Sequence, residues 1–214
     1  MNIILLVLLY LQLFSKGKYL VANNTHTLAT REFSLEDRYG NSYVNNVFKD
    51  NILLAINYAA GKKITASNIN WQKAESPFHE SIALDPGQTF AFHDDVLPQY
   101  SGKVNKTSNA HFNSQEGFKS DGYLVGDGVC HLASFLYWVA KDAGLNTLAP
   151  TRHSFANIPD VPNEYGVSIY DDNRSKNASN ELQNLYITNN KNKTVTFNFD
   201  YNGKTLTIST EEKI

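Results

Sequence analysis

The segment GDGVCHLASFLYWVAKDAG, residues 126–144, decides the fold of this chain. Its apolar side chains recur at the spacing of one helix face, which predicts a helix over residues 130–143 that buries the stripe Leu132, Phe135, Leu136, Val139, Ala140 and Ala143. Gly144 follows, where helices commonly end in a left-handed residue. At about 100° per residue, Cys130 points away from this stripe. We therefore expect the cysteine in the first turn, off the main core face.

Segments with strand character flank this helix. They lie before it at residues 81–84 and 89–92, and after it at 145–148, 165–170, 184–188, 194–201 and 204–209. Asn202-Gly203 between two alternating runs predicts a tight β-hairpin turn. A further helix is predicted over residues 42–60, with Ser42 as its cap. The pattern predicts an α+β fold, in which a mainly antiparallel sheet packs on a buried central helix, with one additional N-terminal helix.

Composition divides the chain into four segments. Residues 1–22 carry an apolar run too short for a membrane span of about 20 residues, so we expect a signal peptide or a membrane anchor. Lysines follow this run and no basic residue precedes it, the reverse of a signal peptide, so we expect either a start further upstream or an uncleaved anchor. A buried helix or strand of the domain is the alternative. Residues 23–40 predict a linker or an edge, 41–79 an N-terminal helical segment, and 80–214 the main domain. Export to the cell envelope or the exterior is therefore expected.

Charge and cysteine content exclude several classes of protein. The 214 residues hold 19 Lys and Arg against 21 Asp and Glu, a formal net charge of −2. Without a basic excess, nothing indicates nucleic-acid binding. The single cysteine, Cys130, excludes an internal disulfide framework. A membrane contact is expected only through the N-terminal segment.

Cys130 is the candidate nucleophile. Gly126 and Gly128 precede it, so its thiol is expected at a helix N-terminus, where unpaired N–H groups lower a thiol pKa and can stabilise an oxyanion. His153 is the candidate base. Four residues are open as the group that orients it: Asn157, Asp160, Asp171 and Asp172. The alternative is that Cys130 is an inert core residue, since cysteine is among the most buried residue types.

Two other kinds of site are compatible with the same region. A ligand-binding cleft would be lined by His93, Tyr123, Gly126, Asp127, Gly128 and His131. A metal site would draw on His93, Asp95, His111, Cys130 and His131, but no pair has the close repeated spacing of structural zinc motifs. The sequence therefore predicts neither a metal nor another cofactor.

These motifs, taken together, resemble the VanW family of bacterial cell-envelope proteins. Residues 80–210 carry the likeness, which rests on Phe90-Ala-Phe92, Gly122-Tyr123, Gly126-Asp-Gly-Val-Cys130, Ser134, Leu136-Tyr137, Ala143-Gly-Leu145, Arg152-His-Ser154 and Val161-Pro162. His93 and His131 stand where the family has Asn and Gln. The family's Asp after Val-Pro has no counterpart in register in Asn163-Glu-Tyr-Gly166. Both departures are typical of a divergent subgroup.

The resemblance implies an envelope location and a link to peptidoglycan, and the family takes its name from a glycopeptide-resistance gene cluster. A cysteine at a buried helix start, followed by a histidine on a sheet, is also similar to the layout of papain-like and transglutaminase-like enzymes. Two hypotheses follow. One is a Cys130–His153 hydrolase or transferase acting on amide bonds of peptidoglycan; the other is a non-catalytic module that binds wall peptide or glycan.

Overall fold

The computed structural model describes residues 24–123, 125–171 and 180–214. The predicted signal peptide or anchor, and Asp172, lie outside these residues. The described chain contains helices α1 (Ser42–Ala59), α2 (Trp71–Ala74) and α3 (Val129–Asp142), and strands β1 (Thr25–Ser34), β2 (Phe78–Leu84), β3 (Thr89–Ala91), β4 (Val104–Thr107), β5 (Asn146–Leu148), β6 (Tyr186–Thr188), β7 (Val195–Tyr201) and β8 (Thr205–Lys213). No helix in the described part of the chain is long and apolar enough to cross a membrane.

Four strands form the long sheet, in the order β1-β8-β7-β2 with every pair antiparallel. Its alternating residues reach the core, as the pattern of period two requires: Val195, Phe197, Phe199 and Tyr201 of β7 are buried and alternate with more exposed residues. The predicted hairpin joins β7 to β8, and Gly203 at its turn has a φ of +102°. The Asn202 side chain accepts hydrogen bonds from the amides of Lys204 and Thr205, which holds the turn.

The other four strands form the short sheet, in the order β4-β3-β6-β5. Its strands have only three or four residues, and the β3–β4 pair is parallel while the other two pairs are antiparallel. The two sheets and the buried helix confirm the α+β fold with mainly antiparallel pairing. Position 93, directly after β3, is thereby brought beside the chain that enters β6.

Helix α3 is the buried central helix. It packs against β1, β8, α1 and β5. The rings of Phe33 on β1 and Phe135 on α3 stack with centroids 3.9 Å apart. The predicted stripe is buried, whereas Cys130 in the first turn is only partly buried. The sequence therefore located this helix and its core face correctly.

Two local expectations differ from the structure. The polar segment 23–40 contains strand β1, which lies at the edge of the long sheet and pairs with β8 along its length. Residues 165–170, expected as a strand, form only one bridge pair, between Arg152 and Val167. The amides of Val167 and Ile169 donate to Ser134 Oγ and Cys130 Sγ of α3. The amides of Ser168 and Tyr170 donate to the carbonyl oxygens of Thr151 and Gln183, so the segment is shared between the helix and neighbouring backbone.

Candidate functional site

A pocket opens at the N-terminus of α3. It has a volume of about 120 Å³ and is lined by Phe48, Phe112, Val125, Gly126, Asp127, Gly128, Val129, Cys130, His131, His153, Phe155, Ile169, Tyr170 and Asp171. Residues 126–131 form its inner end. The segment after β5 brings His153 and Phe155, and residues 169–171 close the remaining side. The structure therefore assembles six of the predicted site residues in one pocket.

The glycines of this pocket permit a tight approach between backbones. Gly128 caps α3 with a φ of +100°, and a Cβ there would lie 2.6 Å from the carbonyl oxygen of Phe48. Gly126 has a φ of +90°, and a Cβ there would lie 3.0 Å from Phe112. Because Gly128 has no side chain, none caps the first-turn amides of α3. These amides point in the direction of the helix N-terminus, the positive end of the helix dipole.

The thiol of Cys130 is held by the backbone of Ile169. Sγ donates to the Ile169 carbonyl oxygen at 3.5 Å and accepts from the Ile169 amide at 3.3 Å. Burial raises the pKa of the Cys130 thiol to about 11, and the nearby Asp127 carboxylate acts in the same direction. This contradicts the expectation of a lowered thiol pKa, because removal from water outweighs the hydrogen bond from Ile169.

His153 presents one free ring nitrogen. Its Nδ1 lies 3.0 Å from the carbonyl oxygen of Ala156 and must donate to it, which leaves Nε2 with the lone pair. The ring packs on Phe155, with centroids 4.0 Å apart. Burial lowers the pKa of His153, so the neutral ring is favoured. Within the described residues, no hydrogen bond joins His153 to Cys130.

His131 is a buried, neutral histidine. Its side chain is 5% exposed, and its ring lies edge-on to Phe48, with centroids 4.9 Å apart. Nδ1 has no hydrogen-bond partner among the described residues. Burial lowers the pKa of His131 to about 3, and Arg38 and His153 add to this effect. The site therefore holds a buried polar atom without a protein partner, which is uncommon in folded proteins.

Two carboxylates line the pocket. Burial raises the pKa of Asp127 to about 6, although its Oδ2 accepts a hydrogen bond from the Asp121 amide. Burial also raises the pKa of Asp171 to about 6. Of the three described candidates for orienting His153, Asp171 alone lines the pocket, whereas Asp160 pairs with Arg38 and Asn157 is exposed. The carbonyl oxygen of Ala156 is the group that holds the His153 ring.

Two predicted cleft residues do not line this pocket. Tyr123 is 96% exposed. His93 is fully buried beside the start of β6, where its Nε2 lies 3.0 Å from the carbonyl oxygen of Gln183. The apolar walls, Phe48, Phe112, Phe155 and Ile169, escaped the sequence analysis. Only Phe155, two residues after His153, carried a local signal.

A second group of polar side chains lies beside the pocket. His93, Asp94 and Asp171 each offer one potential metal-ligand atom, and these atoms lie within 4.8 Å of one another. His111 adjoins them, with Nε2 3.4 Å from Asp94 Oδ1 and Nδ1 2.9 Å from Glu116 Oε1. This set shares His93 and His111 with the metal alternative from the sequence, but replaces Asp95, Cys130 and His131.

Comparison with known proteins gives one result. The family model described as VanW like protein matches residues 67–210, more than half of the chain. Neither a search of curated proteins nor one of solved structures returned a match. The chain therefore belongs to the VanW-like family, and this membership supports a cell-envelope protein.

Proposed function

We propose that this protein is an exported, non-catalytic module of the cell envelope that binds a peptide stem of peptidoglycan in the pocket at the start of α3. The observation that carries the proposal is the state of Cys130. Its thiol is engaged by Ile169 in both directions, and its pKa is raised to about 11. A thiol in this state is almost entirely protonated at neutral pH, and the thiol form is a poor nucleophile.

The lining of the pocket suits a short peptide. Aromatic and aliphatic side chains supply apolar wall, and binding sites of this kind usually combine such walls with a few polar groups. The polar groups here are His131 Nδ1, His153 Nε2 and the Asp127 carboxylate. Amide groups and amines of a peptide can satisfy each of them. A peptide stem of the wall presents both, at the location that the family supports.

The outer rim favours docking of an extended partner. Phe155 is 78% exposed although it is aromatic, and Val125 and Tyr170 are also exposed beside it. Exposed apolar side chains that line a concave site commonly mark a binding surface. The rim and the interior therefore belong to one surface.

One observation favours a Cys–His enzyme as a second candidate function. His153 carries its lone pair on Nε2 and lines the same pocket as Cys130. A general base needs such a nitrogen, and hydrogen bonds between catalytic groups are often long before substrate binds. For this function, a bound substrate would have to displace the Ile169 backbone from Cys130 Sγ, which would free the thiol to react.

Co-sedimentation with purified peptidoglycan sacculi tests the binding proposal. We expect wild-type protein and Cys130→Ala to sediment alike, and Phe155→Ala to bind about 5-fold more weakly, because an aromatic contact contributes about 1 kcal/mol. Tyr43→Ala is the matched control, since Tyr43 is an exposed aromatic residue that lies outside the pocket. Absence of wild-type binding, or equal binding by Phe155→Ala, would overturn the proposal.

The pH dependence of Cys130 alkylation separates the two candidate functions. With one cysteine in the chain, iodoacetamide reports on this thiol alone. We expect the rate to keep rising well above pH 9 and to be the same in His153→Ala, with the urea-unfolded protein as the reference thiol. A thiol that titrates below its unfolded counterpart, and does so only when His153 is present, would instead establish the enzyme.

A further inference from the structure

We propose that His93, Asp94 and Asp171 bind a divalent transition-metal ion, for which zinc is the best match. The first observation is geometric. One potential ligand atom from each residue lies within 4.8 Å of the other two, although Asp171 is far from the other two in sequence. Around one tetrahedral zinc ion, ligand atoms lie about 3.4 Å apart, as follows from bonds of about 2.1 Å. Binding would therefore draw these side chains together, and the exposed Asp94 side chain has room to move.

His93 is prepared as a ligand by its neighbours. The Asn184 side chain donates from Nδ2 to the carbonyl oxygens of His93 and Asp95, at 3.1 and 2.9 Å, which uses both of its hydrogens. The same Nδ2 lies 3.4 Å from His93 Nδ1, so Nδ1 cannot be a donor and must carry the lone pair. Nε2 then donates to the carbonyl oxygen of Gln183, at 3.0 Å. A histidine that gives one N–H to a carbonyl and keeps the other nitrogen basic has the arrangement found in metal sites.

Asp171 supplies an independent indication. Its Oδ2 is buried and has no hydrogen-bond partner in the described part of the chain, while Oδ1 accepts from Asn180 Nδ2 at 3.2 Å. A buried carboxylate oxygen without a donor is costly, and a cation would satisfy it. Asp171 Oδ2 therefore offers a lone pair without a hydrogen-bond partner among the described residues, and the fully buried His93 offers an Nδ1 lone pair whose hydrogen-bond neighbour, Asn184 Nδ2, lies 3.4 Å away.

The surrounding charge also favours a cation. Asn180 Nδ2 donates to both Asp95 and Asp171, and His111 contacts Asp94 and Glu116, so four carboxylates lie near the two histidines. His111 has its Nδ1 beside the Glu116 carboxylate and its Nε2 beside Asp94, which places it to complete a four-ligand set. Two imidazoles with two carboxylates suit zinc, whereas Mg²⁺ and Ca²⁺ prefer six or more oxygen ligands.

Titration calorimetry with ZnCl₂ alone tests the proposal, on protein stripped with a chelator and freed of any histidine tag. We expect one ion per chain and a rise in the unfolding temperature on loading, because the ion ties the end of β3 to residues 169–171. MgCl₂ and CaCl₂ at the same concentration serve as probes of ligand preference. Absence of saturable zinc binding, or tighter binding of Ca²⁺ than of zinc, would overturn the proposal.

Isosteric variants locate the site. We expect Asp94→Asn and Asp171→Asn each to weaken zinc binding about 10-fold or more. Asp200→Asn is the matched control: it alters another His–Asp pair, His79 with Asp200 on the long sheet, and should bind as the wild type does. Asp94 is exposed, so its variant reports even where Asp171→Asn fails to fold. Unchanged zinc binding in Asp94→Asn would overturn this ligand set. The outcome of the sedimentation experiment with sacculi does not depend on the outcome of this zinc titration.

Discussion

The long sheet and the short sheet are held together in different ways. The long sheet has strands of seven to ten residues, whose backbone groups pair with one another and whose alternating apolar side chains fill the core. The short sheet has strands of three or four residues, and the buried Asn184 side chain serves the backbone where β3 ends and β6 begins. The pocket and the His93 cluster both adjoin the short sheet.

Asn184 shows what the difference teaches. Its Oδ1 accepts from the amides of Phe92, His93 and Leu185, and its Nδ2 donates to two carbonyl oxygens. One side chain thus completes the pairing where β3 ends and β6 begins. Because the backbone there is no longer bound to a ladder, the chain is free to turn and to present His93, Asp94 and Asp95. The short sheet can therefore place side chains for function in its irregular connections, but its stability depends on single residues such as Asn184.

The largest expected effect comes from two glycines with nearly the same backbone conformation. Gly128, at the pocket, has a φ of +100°, and Gly203, in the long-sheet hairpin, has a φ of +102°. A Cβ at position 128 would lie 2.6 Å from the Phe48 carbonyl oxygen, whereas the nearest atom to one at position 203 is 3.9 Å away. We expect Gly128→Ala to lower the free energy of unfolding by about 4 kcal/mol or more, and Gly203→Ala by about 1–2 kcal/mol.

Urea unfolding of both variants measures this difference. The strain of a positive φ is common to the two, so the excess in Gly128→Ala reports the close contact between the helix start and α1. Equal losses of unfolding free energy in the two variants would mean that the Phe48 backbone moves aside to accommodate the new Cβ, and would contradict the prediction.

Asn184→Ala and Asn198→Ala compare the sheets directly. Loss of the Asn184 side chain leaves the amides of His93 and Leu185 and two carbonyl oxygens without this partner, at about 1 kcal/mol or more each, while the Phe92 amide keeps its bond to the Leu185 carbonyl oxygen. We expect a loss of about 4 kcal/mol after partial relaxation. Asn198 on β7 makes only one long contact, 3.5 Å to Ser209 Oγ, and its variant should lose less than about 0.5 kcal/mol. Thermal melts of the two variants check the expectation; a small loss in Asn184→Ala would contradict it.

The same contrast explains how far the sequence could predict the structure. Val195, Phe197 and Phe199 alternate visibly, and Asn202-Gly203 marks their turn, so the long hairpin was predictable. Strand β1 was missed as a strand because most of its residues are at least partly exposed, so the apolar alternation is absent. Residues 165–170 look like a strand, but two of their amides bond to helix side chains and the others to short backbone segments, which no local pattern reveals.

The site divides along the same line. Cys130, His131 and the glycines before them were predictable, because they adjoin the strongest helix. The burial that raises the pKa of Cys130, and the approach of Asp94 to Asp171, depend on how distant segments pack. Pairing of β3 with β6 aligns Ala91 with Tyr186, and only this register brings position 93 to Asn184. Such long-range placement is not written in any short motif.

His131, which lines the pocket, makes a pH-dependent contribution to the free energy of unfolding. The groups facing it are Arg38 and His153, and burial together with both of them lowers its pKa to about 3. Between pH 6.5 and 3 the unfolded chain binds a proton that the folded protein refuses, so the free energy of unfolding falls as the pH falls, by about 1 kcal/mol per unit. We expect His131→Phe to be about as stable as the wild type at pH 7 and about 2 kcal/mol more stable at pH 5.

Urea unfolding of wild type and His131→Phe at pH 7, 6 and 5 checks the expectation. Phenylalanine fits the surroundings, since the ring already packs on Phe48 and Phe135 and Nδ1 has no partner to lose among the described residues. Parallel curves for the two proteins would show that the folded protein accepts the proton, and the pocket would then carry a cationic His131 at mildly acidic pH.

The smallest expected effect separates two ion pairs, Arg38–Asp160 near the pocket and His79–Asp200 on the long sheet. Arg38 is 1% exposed, and its Nη1 also donates to the Pro159 carbonyl oxygen at 2.9 Å, whereas His79 and Asp200 are both largely exposed. Burial lowers the pKa of Arg38 and Asp160 opposes that shift, so the carboxylate helps to keep a buried guanidinium charged. Removal of the Asp160 charge therefore leaves the buried Arg38 cation less well compensated. Loss of one partner from an exposed pair has no such effect, because water solvates the other.

We expect Asp160→Asn to lower the free energy of unfolding by about 1–2 kcal/mol, a figure reduced because Asp160 itself is half-exposed. Asp200→Asn should lower it by less than about 0.5 kcal/mol. Asparagine tolerates the φ of +64° at position 160, so the comparison isolates charge from backbone strain. Urea unfolding at low and high salt completes the test: the Asp160→Asn loss should persist in salt, because salt screens a buried cation poorly. If the loss of unfolding free energy in Asp160→Asn disappears at high salt, the Arg38–Asp160 pair behaves like the exposed His79–Asp200 pair, which would contradict the prediction.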